Sequence, residues 1–219
     1  MRHSANTLQL TRYYKENRNN FNENFRLKIH RALSWLNSAS ELENLDHKFI
    51  TQWIAFNAAY ANEISSISGD RNTFFEFLQK VCDLDEEEKI HSIIWDSYSE
   101  PFEKLLDTPY TFQPFWDFHN GKRSESDWER MFYGAKRKAQ FALKNKETHV
   151  VLQIIFSHLY TLRNQLLHGG STFNSSVNRI QLKESCDLLG ALIPIILDIM
   201  MKNHNEMDWG KPFYPYIQD

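Results

Sequence analysis

Turn-forming residues are scarce in this chain. Seven glycines and six prolines serve 219 residues, too few to punctuate the many short strands and tight hairpins of an all-β fold. Two cysteines, Cys82 and Cys186, supply neither a disulfide framework nor the paired spacing of a metal site. Cysteine used this way fits a reducing, cytoplasmic compartment. A membrane span needs about 20 apolar residues. The most apolar segment, residues 188 to 201, is shorter than that and contains Asp198. The first residues, MRHSANTLQLTRYYKENRNN, lack the apolar run of a secretory signal. Positive charge is not in excess either. The net charge of −3 excludes a constitutively basic nucleic-acid coater and confines any RNA contact to a local patch. Glycine-rich phosphate loops, HExxH and GxSxG are missing. No cofactor is implied.

Aromatic residues are abundant, with 16 Phe, 9 Tyr and 6 Trp. Hydrophobic residues make up 42% and charged residues 24%, a globular balance with enough apolar surface for a real core. Apolar positions recur at helical spacing. A helix beginning at Asn22 or Asn24 places Phe25, Ile29, Leu33 and Leu36 on one face. A second, over about 46 to 66 and ended by Gly69, repeats Phe49, Trp53, Phe56 and Tyr60. Two long apolar helices follow late in the chain, about 148 to 168 and 177 to 203, the latter with a kink or boundary at Pro194. Between them and the first pair, residues 70 to 145 alternate short helical patterns with Pro101, Pro109, Pro114 and Gly121. There DLDEEEK at 83 to 89 reads as an acidic helix start. Residues 1 to 20 read as irregular or loosely helical. The tail from 204 to 219 carries Trp209, Phe213, Tyr214 and Tyr216 and is expected to pack on the body. The pattern predicts an all-α chain forming a single domain over 1–219. It would have a four-helix-bundle core from the first two and last two helices, a helical insertion at about 70–145 and an aromatic C-terminal tail.

One segment breaks the apolar pattern. LYTLRNQLLHGG, residues 159 to 170, closes a core helix yet carries Arg163, Asn164 and His168. At about 100° per residue, Arg163 falls at the edge of the stripe formed by Leu152, Ile155, Phe156, Leu159, Leu162 and Leu166. Asn164 and His168, one helical turn apart, occupy the neighbouring flank. A guanidinium on a core edge is costly without a carboxylate, a second protomer or an anionic ligand. Phosphate suits the arginine fork, and a histidine beside it can move a proton near neutral pH. Together they can cleave RNA without a metal. The structural alternative pairs Arg163 with an acidic side chain and leaves His168 as a C-terminal capping residue.

Arg163-Asn164-Gln165-Leu166-Leu167-His168, followed by Gly169, resembles the signature of the HEPN superfamily: an arginine, an adjacent polar residue, then a histidine at the end of a bundle helix. FITQWIAFNAAYANE, residues 49 to 63, is similar to the Trp-x-x-Phe-Asn-x-x-Tyr helix of several prokaryotic members. The resemblance implies a four-helix domain that dimerises, with two Arg–His motifs facing each other in one composite ribonuclease site. Members act as toxins or antiviral effectors, and a toxin implies a cognate antitoxin. Carried over, His168 is the general acid or base, Arg163 stabilises the phosphorane-like transition state, and Asn164 orients the phosphate or His168. The products are a 2′,3′-cyclic phosphate and a 5′-hydroxyl. Some members keep the fold without catalysis and serve as nucleotide- or protein-binding adaptors, which is the alternative here.

Other candidates are weaker. Lys136, Arg137 and Lys138, with Arg130, Lys144 and Lys146, can guide an RNA backbone or simply be solvated. Asn57, set among Trp53, Phe56 and Tyr60, either reaches the Arg–His flank or satisfies a backbone group. Glu88-x-x-His91 has the spacing of half a di-iron site, but no second copy exists, so no metal is expected.

Overall fold

The computed structural model describes residues 2–62, 70–206 and 208–217. Among them every regular element is helical, and the only β-type pairing is a single bridge between Asn62 and Pro212. The second predicted helix ends at Tyr60, before the expected 66, because Ala61 turns extended; the expected Gly69 stop lies outside the described residues. The α-helices are α1 Arg2–Asn17, α2 Glu23–Ser40, α3 Leu45–Tyr60, α4 Asp70–Asp83, α5 Lys89–Ser92, α6 Ser99–Asp107, α7 Gln113–His119, α8 Glu125–Lys144, α9 Thr148–Leu167 and α10 Arg179–Lys202. Tighter 3-10 turns cover Arg18–Asn20 and Pro109–Thr111, and a wider π turn covers Ile93–Ser97. No helix among the described residues is long and apolar enough to cross a membrane.

The chain divides into two compact units, one of Met1–Glu87 with Leu189–Asp219 and one of Glu88–Leu188, so the division falls inside α10. The four helices predicted as one core are shared between them. α2, α3 and the second half of α10 belong to the first unit, and α9 and the first half of α10 to the second.

In the first unit α2 begins where the sequence places it. Asn22 is extended, and its side chain accepts the Phe25 N–H at 2.9 Å, satisfying a donor that has no partner inside the helix. Asn22→Ala is expected to lower stability by about 1 kcal/mol, read from the midpoint of urea unfolding. An unmoved midpoint would mean that water caps α2 equally well. Phe25, Ile29, Leu33 and Leu36 are all buried, and α2 packs along α3. From α3, Trp53, Phe56 and Tyr60 meet Phe74 and Phe77 of α4 in one aromatic cluster with ring centroids 4.8 to 6.5 Å apart.

The N-terminal segment is more ordered than its composition indicates. Thr7, Leu10 and Tyr14 are buried at three- and four-residue spacing, and the Tyr14 hydroxyl donates to the Arg26 carbonyl of α2. This short stripe is enough to hold α1 against α2. The tail packs only in part. Trp209 is buried, its indole N–H donating to the Asn203 carbonyl at 3.2 Å, and the Trp209 carbonyl accepts from Lys28 at 2.9 Å. Phe213, Tyr214 and Tyr216 stay exposed.

Pro194 is no boundary, since α10 runs through it. Proline has no N–H, so the Gly190 carbonyl lacks its helical donor. Gln52 of α3 comes close at this point: a Cβ added at Gly190 would stand 3.1 Å from Gln52 Nε2.

The second unit stacks α8 against α7 and α9. Ser124 caps α8 by accepting the Asp127 N–H, and Trp95 donates its indole N–H to the Leu143 carbonyl at 3.2 Å. The acidic run at 83 to 89 does not open a helix. Glu86 and Glu87 lie in a turn, Glu88 is left-handed with φ of 49°, and α5 starts at Lys89. Carboxylates crowded into one helical turn repel one another, and here Glu86, Glu87 and Glu88 are exposed.

Candidate functional site

Helix α9 buries Val151, Leu152, Ile155, Phe156, Leu159 and Leu162 along one side. His158 shares that buried side, with its Nδ1 hydrogen-bonded to the Thr111 hydroxyl at 2.8 Å. The C-terminal end of α9 is closed by a Schellman motif. The Gly170 N–H bonds the Gln165 carbonyl at 2.7 Å and the Gly169 N–H bonds the Leu166 carbonyl at 3.4 Å. Gly169 takes φ of +69°, the left-handed conformation that side chains resist. The helix end is also docked on the Pro109–Thr111 turn, where the Gln165 side-chain amide donates to the Tyr110 carbonyl.

This frame fixes the position of the three motif residues. Arg163 and Asn164 are half-buried, and His168 is exposed at the C-cap. Arg163 Nη1 donates to Asn164 Oδ1 at 2.9 Å, and its guanidinium carbon lies 5.8 Å from the centre of the Tyr160 ring. Arg163 Nε is buried with no hydrogen-bond partner. Among the described residues no carboxylate pairs with Arg163, and no group bonds the His168 ring. The side-chain oxygen of Asn164 therefore holds the arginine, a role the spacing alone does not reveal. The orphaned Nε is a donor buried at a cost of about 1–3 kcal/mol unless something accepts from it.

The basic positions of α8 separate on closer inspection. Lys136 is half-buried and forms an ion pair with Asp107, so an RNA phosphate there would have to displace that carboxylate. Arg137 and Lys138 are exposed, but at about 100° per residue they point in different directions. Opposite the buried Ala139 and Ala142, the outward face carries Arg130, Tyr133, Arg137, Phe141 and Lys144 at steps of three and four residues. Tyr133 is 57% and Phe141 62% exposed. Arg130 is tied to Asp127 at 2.8 Å. Arg137 and Lys144 have no partner among the described residues. The interleaved aromatics are what the sequence reading missed. The signal was the spacing between Arg130 and Lys144.

Asn57 belongs to the first unit, Arg163 and His168 to the second. It lines a cavity beside α2 and α3, and its Oδ1 is buried without a partner. Glu88 occupies the left-handed cap of α5, and His91 stacks on Trp95 at 4.3 Å. Among the described residues no three His, Cys, Asp or Glu side chains gather where they can hold a metal ion. Both cysteines are free. Burial, together with the Asp85 and Asp83 carboxylates, pushes the Cys82 thiol up to about 12, far from a reactive thiolate.

Comparison with known proteins gives no match: no family model, no curated protein and no solved structure matches the chain.

Proposed function

We propose that this chain is a metal-independent endoribonuclease of HEPN type. It would act in the cytoplasm as a toxin or antiviral effector, with its site completed when two copies bring their Arg163–His168 flanks together. The HEPN core would comprise α2, α3, α9 and α10. The observation that carries the reading is the end of α9. A half-buried guanidinium with an orphaned Nε, and no carboxylate paired with it among the described residues, stands at the same end of α9 as an exposed histidine whose ring bonds nothing among them. That arrangement suits an anionic partner with a proton to exchange.

In the composite site one His168 takes the ribose 2′-hydroxyl proton as the 2′-oxygen attacks phosphorus. Arg163 stabilises the charge that builds on the phosphorane oxygens. The His168 of the second copy gives a proton to the departing 5′-oxygen. A 2′,3′-cyclic phosphate and a 5′-hydroxyl result. Asn164 keeps the guanidinium aimed. Between turnovers a cognate antitoxin would hold such an activity in check.

The test is incubation of RNA with the purified chain in excess EDTA, wild type beside His168→Ala, with the new ends mapped. Cleavage by wild type alone, leaving cyclic-phosphate ends, is expected. Intact RNA with wild type, or equal cleavage by the variant, refutes the enzyme. In that event a catalytically silent HEPN-like adaptor, binding a nucleotide or protein, is the better reading. The Asn164 bond favours it, since it already occupies one arginine donor.

The outward face of α8 is where single-stranded RNA would lie, with phosphates on Arg137 and Lys144 and bases stacked on Tyr133 and Phe141. Phe141→Ala is expected to weaken binding of a short single-stranded RNA by roughly 5- to 100-fold without altering its salt dependence. Arg137→Ala would reduce the slope of log affinity against log salt by about 0.7. Both are read by fluorescence anisotropy. A loss of the same size from Lys138→Ala, off this stripe, would point to diffuse attraction instead.

A further inference from the structure

The first unit holds a cavity of about 560 Å³ whose walls include Lys28, Arg31, Ile54, Asn57, Tyr60 and Phe213. This volume lies within the roughly 300–1,000 Å³ of small-molecule sites. Its polar groups do not balance internally. Lys28 is only 1% exposed, yet no carboxylate forms an ion pair with it among the described residues. Of the three donors on its ammonium, one is used among the described residues, on the Trp209 carbonyl. Arg31, one turn further along α2, reaches the Tyr214 carbonyl. Asn57 Oδ1 is buried with no donor. Among the described residues no acidic side chain is part of the cavity's walls. A buried ammonium with no ion-paired carboxylate among the described residues, beside an unused acceptor and an apolar wall, is the complement of a small anion that also carries a donor.

We propose that this cavity binds a small aromatic monoanion, a carboxylate that accepts hydrogen bonds from Lys28 and Arg31 and carries an N–H or O–H donor for Asn57. The lining selects the monoanion. Lys28 and Arg31 can both donate to one carboxylate, and the apolar walls penalise a second negative charge. Asp208 on the tail favours the charged form of Lys28 and Lys80 of α4 opposes it. The rings of Tyr60 and Phe213 supply the flat surface an aromatic body needs. The site owes nothing to the proposed ribonuclease and stands or falls separately from it.

Titration calorimetry with indole-3-acetate, which has the carboxylate and the N–H, tests the assignment. Indole-3-acetamide removes the charge, 1-naphthaleneacetate removes the donor, and AMP supplies the dianion. Indole-3-acetate is expected to bind at least tenfold more tightly than each of the other three. Lys28→Met should erase the preference for acid over amide, and Asn57→Leu the preference for indole over naphthalene. Burial lowers Lys28 to about 8, so affinity for the acid should be level between the ligand's own carboxyl pKa, roughly 4–5, and that pH, and fall above it as the unliganded ammonium loses its proton. Equal binding of acid and amide to the wild-type chain, tighter binding of AMP, or no heat from indole-3-acetate at millimolar concentration overturns the proposal. These arms use the unaltered protein, so they decide even where a variant fails to fold.

Discussion

His168→Ala is expected to leave RNA intact where the wild-type chain cuts it, a loss of roughly 10²–10⁴-fold. The size follows from the step removed, since without the imidazole neither the 2′-hydroxyl nor the departing oxygen has a partner for its proton. The position makes the experiment clean. His168 is the C-cap of α9, and the bonds that close this helix end are made by backbone groups of Gln165, Leu166, Gly169 and Gly170. The ring itself bonds nothing among the described residues. Exposed substitutions of this kind shift stability by about 0.5 kcal/mol or less. Thermal unfolding of the variant should therefore overlay the wild type while cleavage disappears. If activity and melting temperature fall together, His168 supports the fold and the catalytic assignment is lost.

Phe56→Ala should lower stability by about 3–5 kcal/mol, a large share of the roughly 5–15 kcal/mol available to a folded domain. Phe56 is fully buried. Its ring centre lies 4.8 Å from Tyr60, 5.6 Å from Trp53, 6.1 Å from Phe77 and 6.4 Å from Phe74. Those four rings are locked by one another and cannot close over the space an alanine would leave, so the cavity term adds to the lost transfer energy. Urea unfolding followed by far-ultraviolet circular dichroism reads the change. A shift below about 1 kcal/mol would mean that the cluster collapses inward and is not close-packed.

What could be read in advance divides along physical lines. The stripes of α2 and α3 and the glycine close of α9 are local, repeated signals, and each falls where the sequence places it. Helix α1 was harder to see, because Thr7, Leu10 and Tyr14 are a thin stripe in a polar segment and count only once α2 is there to receive them. The run DLDEEEK misled through charge alone: acidic residues favour the start of a helix, but Glu88 is left-handed and ends the turn before it. At the candidate site the spacing of Arg163, Asn164 and His168 was plain, whereas the bond between the first two depends on rotamers. Lys136 looked like its neighbours until Asp107, on a different helix, claimed it. The cavity beside Lys28 had no linear signature, because it exists only where residues near the end of the chain meet α2 and α3.

The close approach at Gly190 has its own consequence. A Cβ added there would stand 3.1 Å from Gln52 Nε2, so the glutamine would have to give by a few tenths of an ångström. Positions 52 and 190 are thereby coupled. In any lineage descending from this chain, replacement of the glycine should travel with a shorter residue at 52.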